Sequence, residues 1–206
     1  MQVLVGATSS KTLIGRIKKM GWGRMLATRV FLPFDDEPWG FDNGAGSDFV
    51  RGVRFCEVAY MKRLWRAYAF GRPYLSVVPD LVGKGLESLE YSLWWRPRLP
   101  GSWPWYLALQ DGMGVDDVVP VLKQFEGLFL GGTKEFKAQG QIWCNLAHQH
   151  GKRFHYGRCG TPQAIAQAKR IGADSIDSTT CVYNEKRWDD FVRGVSGEKE
   201  QLEMKI

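Results

Sequence analysis

The chain alternates between short apolar runs and amphipathic segments that are typical of helices. The apolar runs are rich in Val, Leu, Phe, Tyr and Trp, and glycine, proline or polar residues bound them, which is the pattern of buried strands. They predict eight strands, at residues 2–7, 25–31, 39–42, 74–78, 105–109, 127–130, 153–156 and 175–177.

Helix-forming segments follow most of these strands and carry end signals. Ser10 is placed to cap a helix over 11–20. Thr161 and Pro162 are a typical N-cap and first helical residue, and Gly172 stops the helix that they begin. Further helices are predicted from 47 through at least 66, and over 86–95, 115–125, 135–150 and 184–195.

Strands and helices in alternation are typical of an α/β protein, here a compact (β/α)8 TIM-like barrel. At 206 residues the chain is at the short limit for this fold, so we expect abbreviated helices. The gap between the second and third strands has no room for a helix. An open doubly wound sheet is the alternative. We expect one barrel domain over residues 1–195 and a frayed tail over 196–206.

A net charge of +6 and nine tryptophans favour a polyanionic partner such as a nucleic acid. In the predicted helix that begins at 47, the apolar face comprises Phe49, Val53, Cys56, Tyr60 and Leu64. The opposite face is basic and comprises Arg51, Arg54, Lys62, Arg63 and Arg66. With Arg96 and Arg98, which lie near tryptophans in the sequence, this face is a candidate surface for a nucleic-acid strand. A solvated charged face is the alternative.

The cysteine, histidine and hydropathy patterns bear on metal binding, on the redox compartment and on membrane insertion. The four cysteines are scattered without a Cys-x-x-Cys pair, which argues against a structural zinc site and for a reducing compartment. His148 and His150 are two positions apart on a helix and do not face each other, so we expect no metal and no cofactor. No apolar run reaches membrane-spanning length, and we expect a cytoplasmic protein without a membrane partner. The sequence leaves the oligomeric state open.

Nearly every predicted strand ends in polar or glycine residues, which in a barrel converge on one mouth where active sites lie. These residues are Asp42, Asn43, Asp80, Gln110, Gly131, Gly132, Arg158 and Asp177. Any one of them is also explained as a helix cap or a turn residue. Three carboxylates at one mouth repel each other, however, and need a chemical task or a cation.

Five stretches in order resemble motifs of the tRNA-guanine transglycosylases. Residues 160–178 (GTP, a helix, then GADSIDS) resemble that family's GTP…GIDMFDC stretch, and FDNGA at 41–45 is similar to its DSGGF motif. VPD at 78–80 occupies the place of its base-reading aspartate. LQDG at 109–112 resembles VQGG, and FLGG at 129–132 resembles IGGLAVGE. The chain departs from the family in three ways: it is far shorter, it lacks the cysteine-rich zinc site, and Gly46 and Ser47 stand where the family has an aromatic residue after its glycine pair.

This reduced form looks most like the DNA-guanine transglycosylase (DpdA-type) branch found in bacteriophages and genomic islands. The resemblance implies a pentosyltransferase that exchanges guanine in DNA for a 7-deazaguanine base. It implies that Asp177 is the nucleophile, which forms a covalent glycosyl ester, and that Asp42 is the general acid and base. A phage-encoded enzyme of this type would act in the host cytoplasm.

The resemblance also implies how the substrate is held. Asp80, with Asn43 beside the acid/base, would bind the guanine edge, and Gln110 and the backbone N–H groups near Gly131 and Gly132 would hold its 6-oxygen. A second set, Arg158 and Thr161, is expected to contact phosphate. For Arg158, a salt bridge to Asp174 is the alternative.

Other functions stay open at this stage. They are a nucleosidase or deglycosylase that releases a deazaguanine base, a tRNA-guanine transglycosylase acting on RNA, and a non-catalytic barrel that binds nucleic acid. The sequence does not identify which deazaguanine is used or which sequence context is chosen.

Overall fold

Eight parallel strands close into a barrel in the computed structural model, which describes residues 1–28 and 31–197. The strands are β1 (Gln2–Gly6), β2 (Gly23–Leu26), β3 (Gly40–Phe41), β4 (Leu75–Val77), β5 (Trp105–Leu109), β6 (Gly127–Leu130), β7 (Arg153–Tyr156) and β8 (Ser175–Ser178). Each strand pairs with the next, and β8 pairs with β1 from Gln2–Ser175 to Val5–Ser178. This closure confirms the predicted TIM-like barrel, and the open doubly wound sheet is wrong.

Helices surround the barrel in the described part of the chain. They are α1 (Lys11–Lys19), α2 (Ala45–Val50), α3 (Glu57–Tyr68), α4 (Gly85–Trp95), α5 (Val115–Val118), α6 (Lys134–Ala138), α7 (Gly140–Gln149), α8 (Pro162–Arg170) and α9 (Glu185–Ser196). Short 3-10 turns occupy Arg96–Arg98, Val119–Gln124 and Thr180–Val182. The predicted caps are confirmed: the side chains of Ser10 and Thr161 accept hydrogen bonds from Leu13 N–H and Ala164 N–H.

Strand alternation divides the core into two layers. Side chains such as Phe41, Leu107 and Ile176 point outward and pack under the helices in the larger cluster. The barrel interior is filled by a second cluster, which contains Leu4, Met25, Leu75, Val77, Tyr106 and Ala108. On β7 and β8 the interior positions carry polar side chains instead, so ionisable groups lie inside the barrel.

Close packing inside so short a barrel requires a missing side chain at Gly127. A Cβ there would lie 2.5 Å from the Tyr106 ring and 2.6 Å from the Arg153 carbonyl oxygen. Neither group can retreat, since Tyr106 is fully buried and the carbonyl belongs to the neighbouring strand. The glycine therefore allows a large aromatic ring to fill the interior.

A buried ion pair holds the segment between β2 and β3, where the described residues form no helix. Arg24 and Glu37 make two hydrogen bonds of 2.8 Å each, in the bidentate geometry of a guanidinium and a carboxylate. Arg24 also donates to the carbonyl oxygens of Thr8 and Leu32, and Glu37 accepts from Phe34 N–H. These bonds fasten the loops after β1 and β2 to the outer face of the barrel.

The prediction of one long helix from residue 47 is wrong, because the structure has two helices there. The chain leaves the helix after Val50, Gly52 adopts a left-handed φ of 64°, and a new helix begins at Glu57. Tyr60 and Leu64 are buried as expected, whereas Phe49, Val53 and Cys56, on the same predicted face, are exposed. The break resets the helical phase, so one apolar face could not continue across it.

Other boundaries also differ from the prediction. The helix expected over 135–150 is two helices that meet at Gln139, and the region 115–125 is mostly a 3-10 helix. The second strand ends at Leu26, and residues 29–30 of its predicted length lie outside the described residues. The tail prediction falls largely on 198–206, which also lie outside them. No helix in the described ranges is both long and apolar enough to cross a membrane.

Candidate active site

The carboxyl ends of β3, β7 and β8 surround a cavity of about 490 Å³. Asp42, which follows β3, and Asp177, on β8, both line it, together with Arg158 from the turn after β7. The predicted pair of carboxylates therefore meets at one mouth of the barrel. The location agrees with the end of a parallel barrel where the loops after the strands build sites.

Asp177 points into the barrel because it alternates with the outward-facing Ile176. Its Oδ1 accepts hydrogen bonds from His155 Nε2 at 3.0 Å and from Arg158 N–H at 2.9 Å. Burial acts to raise the pKa of this carboxyl, but the hydrogen bond and charge of His155, the Arg158 N–H and the Lys137 ammonium outweigh it. The pKa of Asp177 is therefore below its ordinary value, and the group is a carboxylate at neutral pH.

The pKa of Asp42 is displaced in the opposite direction, above its ordinary value. Burial raises its pKa, and the negative charge of Asp177 adds to the rise, although a hydrogen bond from Gly44 N–H and the charges of Arg63 and Arg158 act against both. The backbone of Asp42 is fixed because its N–H donates to Leu26 O at 2.9 Å. Two carboxyl groups at one cavity with pKa values displaced in opposite directions are suited to different roles, one as an acid and one as an anion.

Arg63 lies at this site and not on the outer basic face, so its predicted position is wrong. Its guanidinium donates to Asn43 O at 2.7 Å and to Ala27 O, and burial lowers its pKa. Gly44, with a φ of 85°, leaves room for it, since a Cβ there would lie 3.1 Å from both terminal guanidinium nitrogens. Arg63 thus ties the loop that carries Asp42 to the loop after β2.

Asp80 lies beside this cavity in a buried cluster of amides. Its Oδ1 accepts from Asn43 Nδ2 at 2.6 Å, and its Oδ2 accepts from Gln110 Nε2 at 2.5 Å. Asn43 also donates to Val78 O, and Gln110 accepts from Gly83 N–H. The structure therefore brings three of the predicted base-binding side chains into direct contact, each orienting another.

The remaining predicted residues lie around the same rim with partners of their own. Gly131 N–H donates to Leu109 O at 3.2 Å, and Gly132 adopts a φ of 76° next to the Asp111 carboxylate. Thr161 is exposed, and its hydroxyl caps α8. It lines a neighbouring groove of about 340 Å³, not the cavity of the two carboxylates.

Arg158 is exposed at the rim and adopts a left-handed φ of 55°, a conformation rare outside glycine. A Cβ built on Gly46 would lie 3.5 Å from its Nη2, so its guanidinium reaches toward the loop after β3. The alternative pairing with Asp174 is wrong. The Asp174 carboxylate instead accepts from Phe154 N–H at 2.7 Å and lies 3.0 Å from His148 Nε2.

His155 is the residue that sequence reasoning missed. It is fully buried, bonds to Asp177 through Nε2, and lies 2.8 Å from Ser175 Oγ through Nδ1. Strand alternation was the available signal. If Phe154 and Tyr156 face outward, His155 faces the barrel interior, where a polar ring needs polar partners.

Metal-ligating side chains do not cluster at this site. Within residues 1–28 and 31–197, no three His, Cys, Asp or Glu side chains are grouped as a metal site would require. Cys159 and Cys181 lie near Asp177 but are buried, and burial raises the pKa of both thiols, that of Cys181 to about 12. Both are therefore protonated, unreactive thiols at neutral pH.

Neither the models of known protein families nor the curated proteins give a match to this sequence.

Proposed function

We propose that the protein is a base-exchange glycosyltransferase that replaces guanine in DNA with a 7-deazaguanine base through a covalent Asp177 glycosyl ester. One observation carries the proposal: Asp42 and Asp177 line one cavity, and their pKa values are displaced in opposite directions. That arrangement supplies an anionic nucleophile and, beside it, a carboxyl group whose raised pKa suits it to carry a proton to the same bond. The motifs at 41–45, 78–80 and 160–178 supply the substrate class by resemblance.

The reaction divides into two displacements at C1′ of the sugar. An Asp177 carboxylate oxygen bonds to C1′ as the bond to N9 of guanine breaks, and Asp42 gives its proton to the departing base. The incoming base then loses a proton to Asp42 and bonds to C1′, and the Asp177 ester breaks to restore the carboxylate. Two displacements retain the sugar configuration, and the polynucleotide backbone stays intact.

Base selection falls to the cluster around Asp80. A carboxylate accepts two hydrogen bonds from the N1–H and 2-amino groups of guanine, which adenine cannot offer in the same pattern. The amide groups of Asn43 and Gln110 already hold one lone pair of each Asp80 oxygen and so fix the plane of the carboxylate. Leaving a buried acceptor unmatched costs about 1–3 kcal/mol, which rejects a wrong base by roughly 10- to 100-fold.

DNA is the acceptor that we propose, because the short chain resembles the branch that acts on DNA and because the net charge of +6 suits a polyanion. Arg158 is exposed at the rim and lines the cavity with Asp177, which supports its proposed role as a contact to a phosphate of the strand. A target base must leave the helical stack to enter a cavity of this kind.

The test is incorporation of labelled guanine into a polynucleotide, with DNA and tRNA offered separately. Wild-type protein is expected to label DNA. Asp177→Asn should abolish labelling, and Asp42→Asn should reduce its rate by about 10²–10⁴-fold, the usual contribution of a general acid or base. Asp116→Asn, which changes an exposed carboxylate on α5, is the matched control and should label DNA at the wild-type rate.

The alternatives give different results in the same assay. Label in tRNA only would overturn the DNA assignment. Release of free base from a deazaguanine-containing strand without incorporation would identify a deglycosylase. Binding without either reaction, unchanged in Asp177→Asn, would identify a non-catalytic barrel.

A further inference from the structure

A buried chain of three polar side chains ends at the nucleophile of the proposed reaction. Ser175 and Asp177 are alternate interior residues of β8, and His155 is the interior residue of β7 in register with Ser175. The imidazole bridges them, with Nδ1 2.8 Å from Ser175 Oγ and Nε2 3.0 Å from Asp177 Oδ1. His155 and Ser175 are both fully buried, so water does not compete for these bonds.

The partners determine where the ring carries its hydrogen. An ionised carboxylate only accepts, so Nε2 of His155 must hold a hydrogen. Ser175 adapts to the other nitrogen, because a hydroxyl donates to a bare Nδ1 or accepts from a protonated one. The ring plane is fixed as well, since Phe129 stacks on it at 4.7 Å between centroids and 17° between planes. His155 is thus a preset donor aimed at one carboxylate oxygen.

Both of the hydrogen bonds that reach the Asp177 carboxylate end on the same oxygen. His155 Nε2 and Arg158 N–H each donate to Oδ1, and within the described ranges no hydrogen bond ends on Oδ2. Asp177 lines the cavity that would receive the nucleotide. The two oxygens are therefore not equivalent: one is held by the barrel, and the other is left with its lone pairs for a new bond.

We propose that His155, oriented by Ser175, is a positioning residue that holds Asp177 by Oδ1 so that Oδ2 attacks the sugar carbon. This inference rests on the proposed base exchange, in which Asp177 is the nucleophile. His155 neither touches the substrate nor accepts a proton from it; it fixes the rotamer of the carboxylate and keeps it anionic.

The contact has a consequence for pH dependence. The charged and titratable groups around Asp177 are Asp42, Lys137, His155, Arg158, Cys159 and Cys181. Burial acts to raise the pKa of Asp177, and the His155 hydrogen bond is the first of the contributions that lower it. Without that bond the pKa rises, so a larger share of Asp177 is protonated and inactive in mild acid.

Two amide substitutions test whether the hydrogen-bond donor to Asp177, and not the imidazole ring itself, is what His155 contributes. In His155→Gln the side-chain amide reaches about as far as Nε2 and can still donate to Asp177. In His155→Asn the amide ends near the position of Nδ1, next to Ser175, and leaves Asp177 Oδ1 with one donor fewer. His148→Gln is the matched control, because His148 lies 3.0 Å from Asp174 in an exposed pair far from the cavity.

The experiment measures kcat/KM for base exchange as a function of pH in the wild-type protein and the three variants. His155→Asn is expected to lose about 10- to 100-fold at neutral pH and to move the acidic limb of the profile upward by about one to two pH units. His155→Gln should keep most of the activity and the wild-type limb, and His148→Gln should match wild type. Equal pH profiles for His155→Asn and wild type would overturn the proposal. Equal losses of activity in His155→Asn and His155→Gln would also overturn it, provided that both variants are as stable as wild type in denaturant unfolding.

A second readout does not depend on turnover. Nitrogen NMR of labelled protein without substrate reports which ring nitrogen of His155 holds a hydrogen, and carboxyl-carbon NMR reports the titration of Asp177. A hydrogen on Nε2 and a higher Asp177 pKa in His155→Asn support the contact even if base exchange fails. A bare Nε2, or an unchanged Asp177 titration, overturns it even if base exchange succeeds.

Discussion

Burial makes Asp80 harder to ionise than an ordinary carboxyl, although two amide groups donate hydrogen bonds to it. Burial raises its pKa to about 6, and the charge of Asp42 adds to the rise against the hydrogen bonds from Asn43 and Gln110. The full burial of the carboxyl is thus only partly offset by its donors. A carboxyl with this pKa is still mostly ionised at neutral pH, so Asp80 could accept hydrogen bonds from guanine in the proposed role.

Asp80 therefore makes stability depend on pH in an identifiable window. Because its pKa in the folded protein is above the ordinary value of 3.8, its contribution to stability is full below pH 3.8 and is lost as the pH rises through about 6. The loss amounts to roughly 3 kcal/mol of unfolding free energy. Urea unfolding between pH 4 and 7 should give a flatter dependence in Asp80→Asn than in wild type.

Asp116→Asn is the control for this measurement and should keep the wild-type slope, because Asp116 is exposed. Asp177 has the opposite sign: its lowered pKa adds stability at neutral pH that is lost as the medium becomes more acidic. A wild-type slope in Asp80→Asn would contradict the raised pKa of Asp80.

At the scale of elements, the β2–β3 connection, whose described residues form no helix, shows what can cover a short barrel in place of helix packing. The charged pair of Arg24 and Glu37 takes the place of apolar helix packing, and each side chain also bonds to backbone groups of the loops. Such a pair contributes geometric definition more than net stability, since both charges lose their water. Removal of one member leaves the other buried and unpaired.

Glu37→Gln is accordingly expected to lower the unfolding free energy by about 3–5 kcal/mol. The double variant Arg24→Met with Glu37→Leu should lose less than the sum of the single changes, which a double-mutant cycle in urea measures. Asp190→Asn, which breaks the exposed pair with Arg193, is the matched control and should change stability by under about 1 kcal/mol. Additive losses at residues 24 and 37 would contradict this account.

Strands and helices were predictable from the sequence where their own hydrophobic pattern and boundary residues decide the structure. The strand 105–109 is fully buried and was placed to the residue, because five apolar residues between polar and proline boundaries admit little else. The helix predicted from residue 47 was wrong in running unbroken into α3, because the predicted face crossed Gly52, whose left-handed conformation breaks the helix. The inward turn of Arg63 depends on its bonds to the carbonyl oxygens of Ala27 and Asn43, which lie far from it in the chain, and could not be predicted from spacing alone.

At the scale of the whole molecule, exposed arginines lie both at the mouth of the barrel and away from it. Arg158 is exposed at the mouth, whereas Arg170 is exposed at the opposite end of α8, away from the cavity. If a nucleic-acid strand crosses the mouth, only the first of these two cations is near it. The two residues are thus a matched pair for locating the binding surface.

Arg158→Gln should weaken binding of DNA to the inactive Asp177→Asn protein, and it should reduce the slope of log K against log salt by about 0.7–0.9, the effect of one lost phosphate contact. Arg170→Gln should leave both the affinity and the slope unchanged. Fluorescence anisotropy at several salt concentrations makes the measurement. Equal effects of the two substitutions would remove the mouth as the site of strand contact.

The sequence by itself determined the eight strands, their order and the residues that end them, including Asp42, Asp80 and Asp177. It could do so because strand pattern, turn residues and short right-handed connections are local properties of the chain. Tertiary structure alone decided that Asp42 shares a cavity with Asp177, that Arg63 faces inward and that His155 bonds to Asp177. Those relations depend on distance and burial between residues far apart in the chain, and closure of the barrel sets both.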